Sequence, residues 1–412
     1  MRRVVVTGMG SVGPLGPNIS ETLSSLRKQK SGIVFHPPFA EMGFRGQALA
    51  LPQVDLSTVP ANLRKFMGDG IACAYLATSE AIKLAGLTEA DLQTPSTGII
   101  YCSGGPSTAA QVAAVDIART KGVKRIGVRA VPKCMSSGSS ANLASAFKTQ
   151  GMSLGVTSAC STGTNNIGLA FELIFSGCQN TIIAGACEEW DWTLFGLFDA
   201  LGALAPCDES NATEVMQPFG TYGSPDEDTR RKGFVPGGGA ATLVLENLET
   251  AVARGATIYA EVIGFFSNSD GSGDMIQPSE EGITRLLEAL SSRTHHHIDY
   301  INLHGTGTAL GDRTELAAVK KVFPSNDVLL STTKGLHGHA QGATGAMEAV
   351  NTLLMMGHEF VAGSPVRQLM PEAQDLNLVT KPADAAIHTA ISCNYGFGGT
   401  NAGLVFTQYN GC

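Results

Sequence analysis

Apolar runs that alternate at every second position trade places with apolar stripes of helical period along this whole chain. Val4, Val5 and Val6 open a predicted strand over Arg2–Thr7. Asn18, with Glu21 three positions on, forms a capping-box start for a helix through Arg27. Further strands are expected at Thr97–Cys102, Leu154–Thr157 and Asn180–Ala184, with helices at Ala109–Thr120 and Thr162–Phe175 between them. The second half repeats the texture, with strands at Thr257–Phe265, Asp299–Leu303 and Val328–Ser331 and helices at Glu280–Leu290, Thr314–Val322 and Ala346–Met356. Strands at Ile387–Ser392 and Ala402–Phe406 close it. Such alternation implies an α/β protein with parallel strands covered by helices. The least regular stretch, Met216–Lys232, holds Pro218, Gly220, Gly223 and Pro225 and reads as an exposed loop. No low-complexity linker divides the chain, so its two halves should share one interface.

Composition narrows the function. A chain of 412 residues is too long for one core, since single cores rarely grow past ~250–300 residues. The 49 glycines and 6% aromatics suit tight strand–helix turns. A net charge of −8 with no long run of one sign excludes a concentrated nucleic-acid surface. No stretch approaches the ~20 apolar residues of a membrane span. The basic start at Arg2-Arg3 lacks an apolar signal region behind it and reads as the first strand. Nine cysteines without a C-x-x-C pair argue against a metal site and a disulfide framework, and for a reducing cytoplasm.

Two motifs lack their context. Gly8-Met9-Gly10-Ser11-Val12-Gly13 fits a dinucleotide fingerprint, but Pro14 and Pro17 interrupt the required helix and Lys28-Gln29-Lys30 stands where an acid is needed. It is expected to be a tight turn after the first strand. Gly151-Met152-Ser153-Leu154-Gly155 fits a nucleophile elbow, but a helical stretch precedes it and a strand follows, the reverse of the required order. His295–His297 alternate across an extended segment and read as a solvated connection.

Four other segments carry chemistry. Thr157-Ser158-Ala159-Cys160-Ser161-Thr162-Gly163 ends a short strand just before a helix, where the helix dipole favours a thiolate at Cys160. His304-Gly305-Thr306-Gly307-Thr308 follows a strand, and Lys334-Gly335-Leu336-His337-Gly338-His339 follows another; strand ends are where α/β sites form. Asn394-Tyr395-Gly396-Phe397-Gly398-Gly399-Thr400-Asn401 has glycines that bring backbone N–H groups close to a ligand.

In this order and spacing, the four segments resemble the elongating β-ketoacyl–acyl carrier protein synthases, types I and II, of the thiolase superfamily. The resemblance covers nearly the whole chain. It implies a thiolase-like five-layer αβαβα fold of two duplicated βαβαβαββ halves, here expected as residues 1–250, carrying the cysteine, and 251–412, carrying the histidines. The implied activity is decarboxylative condensation of an enzyme-bound acyl thioester with malonyl-acyl carrier protein in fatty-acid synthesis. Cys160 matches the family's nucleophile. His304 and His339 match the pair that stabilises the enolate, and the backbone N–H groups of Cys160 and Phe397 would form the oxyanion hole. Lys334 matches the active-site lysine. Glu348 matches the buried acid, which either orients the region or holds a cation. Thr306 and Thr308 would bind the phosphopantetheine arm, while Gly105, Met135 and Phe198 would line an acyl pocket gated by Phe397. Arg64, Lys65, Lys124 and Arg125, with Lys121 and Arg129 nearby, offer a basic landing surface for the acidic carrier protein. A dimer is implied, and neither a metal nor an organic cofactor.

Some residues depart from the family pattern. His337 stands where threonine is usual, Lys232 where aspartate is usual and Tyr395 where phenylalanine is common. The loop Phe219–Asp228 also looks long. These departures keep open a specialised polyketide or aryl-polyene synthase, with or without a chain-length-factor partner. Cys160 argues against a silent chain-length factor. The histidines in both motifs argue against a starter-type synthase, and Cys393 and Cys412 are poor matches for a thiolase's second cysteine. A non-enzymatic acyl-binding protein is the remaining rival.

Overall fold

The computed structural model describes residues 1–105, 107–221 and 233–411. Its frame is a ten-stranded sheet. In chain order the strands are β1 (Val4–Val12), β2 (Thr97–Ser103), β3 (Ser153–Leu154), β4 (Thr181–Glu188), β5 (Gly239–Asn247), β6 (Ala260–Ser269), β7 (Tyr300–Asn302), β8 (Leu329–Ser331), β9 (Thr389–Gly396) and β10 (Thr400–Thr407). Across the sheet they run β8-β7-β9-β10-β6-β1-β5-β4-β2-β3. The first five strands and the last five therefore follow one plan: third, second, fourth, fifth, first. The pairing sense repeats too. The third, second and fourth strands of each half are parallel, while the fifth is antiparallel to both neighbours. This duplication is the fold expected from the resemblance. The halves join where Val4–Val6 of β1 pair with Ala260–Val262 of β6.

Helices packed on the sheet's faces build the other layers, among them α1 (Asp69–Ala85), α2 (Gly138–Phe147), α3 (Thr162–Phe175), α4 (Glu280–Ser291), α5 (Ala309–Val322) and α6 (Thr344–Gly357). Helices α1 and α2 cover the outer face of the first half, and α4, with α5 packed on it, covers the second. Helices α3 and α6 lie between the halves. Helix α3 touches β2, β4 and β5 on one side and β6 and β10 on the other. Helix α6 is buried at every position from Thr344 to Met356. A helix buried all round belongs in such a central layer. Among the described residues, no helix is long and apolar enough to cross a membrane.

The glycine pattern at the start of the chain is not a turn. Strand β1 continues through Gly8 and Gly10 to Val12, buried throughout, with a register shift between Val6 and Gly8. A Cβ on Gly8 or Gly10 would overlap the carbonyl oxygen of Ala81 or Ala77. The G-x-G spacing is thus a period-two seat on one strand face for the backbone of α1. The strand expected at Leu154–Thr157 is only Ser153–Leu154, because Gly155 presses against the Tyr101 carbonyl and the chain then turns toward Cys160. The stretch expected as an exposed loop begins buried, from Met216 to Gly220, with Phe219 wholly enclosed. Its remainder, residues 222–232, lies outside the described residues. Helix α5 starts at Ala309, ahead of the expected Thr314, and β6 starts at Ala260 and runs on to Ser269. His295–His297 are exposed, as read from the sequence.

The seat for α1 makes a direct prediction. Gly10→Ala should lower unfolding stability by about 1–3 kcal/mol, the cost of overpacking. Gly357→Ala, where a Cβ meets nothing within 4 Å, should change it by less than about 0.5 kcal/mol. Urea unfolding of both variants measures this, and equal shifts would refute the close approach.

Candidate active site

Four loops converge from the two halves. The chain leaves β3 and turns at Ala159, whose φ of 50° is left-handed and strained for a residue with a Cβ. That turn presents Cys160 just ahead of α3. Ser158 anchors it, its carbonyl accepting from Ser161 Oγ at 2.8 Å and from Thr400 Oγ1 at 3.0 Å. His304 follows β7 directly. His339 follows β8 and the short helix Lys334–His337, and its N–H donates to the Val235 carbonyl at 2.7 Å. Phe397 sits in the turn from β9 to β10, beside Gly398 and Gly399, with φ of 82° and 69°.

These loops bring the predicted nucleophile and both histidines together. Cys160 Sγ lies 3.1 Å from His339 Nε2. The rings of His304 and His339 meet edge to face with centroids 5.5 Å apart. One ligand atom from each of the three residues falls within 4.8 Å of the others, and all three are buried. Lys334 and Glu348 stand behind them, both fully buried, with Nζ 2.6 Å from Oε1. Glu348 Oε2 accepts from Asn394 Nδ2 at 2.7 Å. Of the two readings for Glu348, orientation fits: the cation at its oxygen is the chain's own lysine.

Burial governs the charges. It holds both His304 and His339 well below the ordinary histidine range, and the nearby Lys334 ammonium pushes the same way. Both imidazoles are therefore neutral. Burial also pushes the Cys160 thiol up to about 12, against the pull of Lys334 and the backbone N–H groups of Phe397 and Cys160. Desolvation thus opposes the thiolate expected at the helix N-terminus. The resting group is a thiol beside a neutral imidazole. His337 is fully buried, pushed down to about 3 by burial and by Lys334, and its Nε2 lies 2.9 Å from Thr333 Oγ1. It adds no titrating group to the cleft.

The cleft over Cys160 is lined by Phe198, Phe397, Thr306 and Thr308. The two threonine hydroxyls are 2.9 Å apart, and the Phe198 and Phe397 rings are 6.2 Å apart. Gly105 and Met135 do not line this cleft. They face a separate cavity of about 20 Å³, room for about one water. Lys65, Lys124 and Arg125 are exposed. Arg64 is held by Asp69 and by the Met67 carbonyl. Tyr395 packs edge-on against His304 with centroids 5.4 Å apart. Lys232 and Tyr222–Asp228 of the long loop lie outside the described residues.

Several functional residues escaped the sequence reading. Glu315 accepts from the backbone N–H groups of His304 at 2.7 Å and Gly305 at 2.8 Å, and burial pushes it up to about 7. Asp312 accepts from Gly307 N–H at 3.1 Å and Phe219 N–H at 2.7 Å. Both acids lie on the buried face of α5, where a carboxylate without a partner is costly; that was the available signal. Glu188 clamps the Gly104 and Gly342 N–H groups, each at 3.0 Å. Asn394 lies inside the glycine-rich segment, but nothing local marks its partners.

The comparisons with known proteins agree with this geometry. Residues 1–251 match the β-ketoacyl synthase N-terminal domain and residues 259–365 the β-ketoacyl synthase C-terminal domain. The chain belongs to the β-ketoacyl synthase family. It is 41% identical to 3-oxoacyl-[acyl-carrier-protein] synthase 1 of Haemophilus influenzae over 100% of both chains. It is 40% identical to the Escherichia coli K12 protein of the same name over 99% of both. Its structure resembles a β-ketoacyl synthase from Burkholderia phymatum with a TM-score of 0.92, at 29% identity and 100% coverage of both chains. It also resembles a type II polyketide ketosynthase solved in complex with its acyl carrier protein, with a TM-score of 0.86, at 26% identity, covering 99% of this chain and 100% of that one.

The buried thiol yields a pH test. A pKa raised to about 12 means that the reactive thiolate grows with pH throughout the ordinary range. Alkylation of Cys160 by iodoacetamide should therefore rise about tenfold per pH unit from 7 to 10, with no step near the ordinary histidine value. Peptide mass spectrometry measures this, and a plateau below pH 9 would overturn it.

Proposed function

We propose that this protein is a β-ketoacyl-acyl carrier protein synthase, an acyltransferase that extends acyl chains in fatty-acid synthesis. The observation that carries the reading is the Cys160 thiol 3.1 Å from a neutral His339, with a second neutral histidine beside it. The family membership and the full-length synthase 1 relatives favour fatty-acid elongation over a polyketide role.

Cys160 Sγ attacks the acyl thioester, and the backbone N–H groups of Cys160 and Phe397 receive the oxyanion. The carrier thiol leaves with the proton that Cys160 gives up. Malonyl-carrier protein then binds, with Thr306 and Thr308 along its phosphopantetheine arm. The bond to its carboxylate breaks, carbon dioxide departs, and the electron pair forms an enolate. N–H groups of His304 and His339 hold the enolate oxygen. A neutral imidazole suits this role because it donates a hydrogen bond without surrendering the proton. The enolate carbon attacks the acyl group on Cys160, the β-ketoacyl chain leaves on carrier protein, and the Cys160 thiolate takes a proton from solvent. In this reading Lys334 and Glu348 set the field and no cofactor takes part. Gly105 and Met135 receive the acyl chain once the Phe397 loop moves. A Cβ on Gly105 would meet nothing within 4 Å, so the chain has space there.

The reading places the protein in the cytoplasm and divides the chain into residues 1–250 and 251–412, in support of which the strand plan repeats across that point. Lys65, Lys124 and Arg125 receive the acidic carrier protein; Arg64 contributes less because Asp69 already holds it. A homodimer is supported by the free edge at β3, the last strand of the sheet. The mutually packed helices Thr108–Lys121, Ala130–Cys134 and Trp192–Leu201 also expose Val112, Val115, Val131, Leu197 and Leu201, an apolar face that a second copy would cover. Val131→Glu combined with Leu197→Glu should therefore sediment as a monomer where the native chain sediments as a dimer. A monomeric native chain would end the dimer reading.

The activity itself is tested by mixing the protein with acyl-carrier-protein thioesters and malonyl-carrier protein in the presence of a chelator, and following adduct and product by mass spectrometry. An acyl group should appear on Cys160, with β-ketoacyl product after it, and both should be lost in Cys160→Ala. Lys124→Glu with Arg125→Glu should slow loading. No adduct from any donor would refute the synthase reading.

A further inference from the structure

We infer that Asn394 is a positioning residue that locks His304 in the tautomer carrying its proton on Nε2, so that His304 enters the reaction as a hydrogen-bond donor. The inference rests on the synthase reading for what the donor does, but the tautomer itself follows from the contacts alone.

Strand register puts the two residues side by side. Strand β9 pairs in parallel with β7, Ser392 facing Asn302, and two positions on Asn394 comes level with His304. The Asn394 side chain is fully buried and satisfied at both ends. Its Oδ1 accepts from Thr164 Oγ1 at 2.5 Å. Its Nδ2 donates to Glu348 Oε2 at 2.7 Å, and lies 3.3 Å from His304 Nδ1.

Glu348 determines which way this amide faces. Its other oxygen is bound to the Lys334 ammonium at 2.6 Å, so Glu348 is held as a carboxylate and can only accept. Rotating the Asn394 amide by half a turn would set Oδ1 against Glu348 Oε2, two buried acceptors with no hydrogen between them. That arrangement forfeits the bond and leaves both groups unsatisfied. The Nδ2 group therefore stays toward Glu348, and its second hydrogen faces His304 Nδ1. An amide nitrogen has no acceptor lone pair to offer, so Nδ1 is the acceptor. A neutral imidazole that accepts at Nδ1 has its hydrogen on Nε2. The chain Lys334–Glu348–Asn394–His304 thus carries orientation from a buried ion pair to the reacting edge of the histidine.

The role predicts a split between half-reactions. Acylation of Cys160 uses the thiol and the backbone donors, whereas decarboxylation uses the Nε2–H of His304. In Asn394→Asp the oxygen that replaces Nδ2 keeps a proton toward Glu348 Oε2, since two buried acceptors cannot face each other bare, and its remaining lone pair accepts from Nδ1–H; the proton leaves Nε2 and the donor is lost. The variant should lower kcat for malonyl-thioester decarboxylation by about 10²–10³-fold, the usual range for losing one positioned proton or donor, with KM nearly unchanged. Acylation of Cys160 should stay within about threefold of native.

The decisive measurement is a long-range proton–nitrogen correlation spectrum of the full-length protein labelled with ¹⁵N-histidine, His304 being assigned by its loss in His304→Gln. The native spectrum should show the hydrogen on Nε2, and Asn394→Asp should move it to Nδ1. A native hydrogen on Nδ1 overturns the inference, and this reading stands even if the variant does not fold. A folded variant in which decarboxylation and acylation fall together also overturns it. Absence of any acyl adduct in the native protein instead refutes the synthase reading, and leaves the tautomer to the spectrum.

Discussion

Everything in the centre of this molecule depends on how closely α3 and α6 can cross. Gly163 on α3 leaves no room for a Cβ against the Ala346 backbone, and Gly345 on α6 leaves none against Thr164. Cys160 stands two residues before α3 and His339 five before α6. The small residues at the crossing therefore set the distance between Cys160 of one half and His339 of the other. A larger residue at either glycine would part the helices and, with them, the reacting groups. The duplication of the strand plan explains why two such helices exist: each half supplies one to the shared layer.

That shared layer is also where water is excluded, and the chemistry follows from the exclusion. An isolated buried charge is costly, so Lys334 and Glu348 are present as a pair, both fully buried. The ammonium then acts on its surroundings at low dielectric. It helps keep three histidines neutral and lowers, without reversing, the cost of a Cys160 thiolate. Neutral donors beside a protonated thiol suit a reaction in which charge develops only transiently. The same logic accounts for the carboxylates of Glu188, Glu315 and Asp312. Each turns its oxygens on backbone N–H groups of the active-site loops, fixing loops whose glycines would otherwise leave them loose.

Much of the local structure was legible in the sequence because it is local. The Asn18 cap with Glu21, the buried strand at Thr97 and the helix at Thr162 obey short-range rules, and the structure has them. The motifs also named Cys160, His304 and His339, since each lies in a connection that follows a strand, beside small residues. Glycine misled where its reason was distant. Gly8 and Gly10 resemble a turn along the chain, but they exist to admit a helix some seventy residues away. Met216–Gly220 looked like a surface loop from its composition, but Asp312 on α5 draws the Phe219 backbone inward.

The sequence by itself determined which elements form, in what order, and which side chains bring nucleophile, donor and charge, because periodicity, caps and motif spacing are properties of neighbours along the chain. Only the tertiary structure decided how those groups behave. The protonated state of Cys160, the neutrality of the histidines and the partners of Asn394 come from burial and from contacts such as Cys160 with His339 and Asn394 with His304, 179 and 90 positions apart. Desolvation and through-space charge depend on what surrounds a group in three dimensions, and adjacency in the chain carries no record of that.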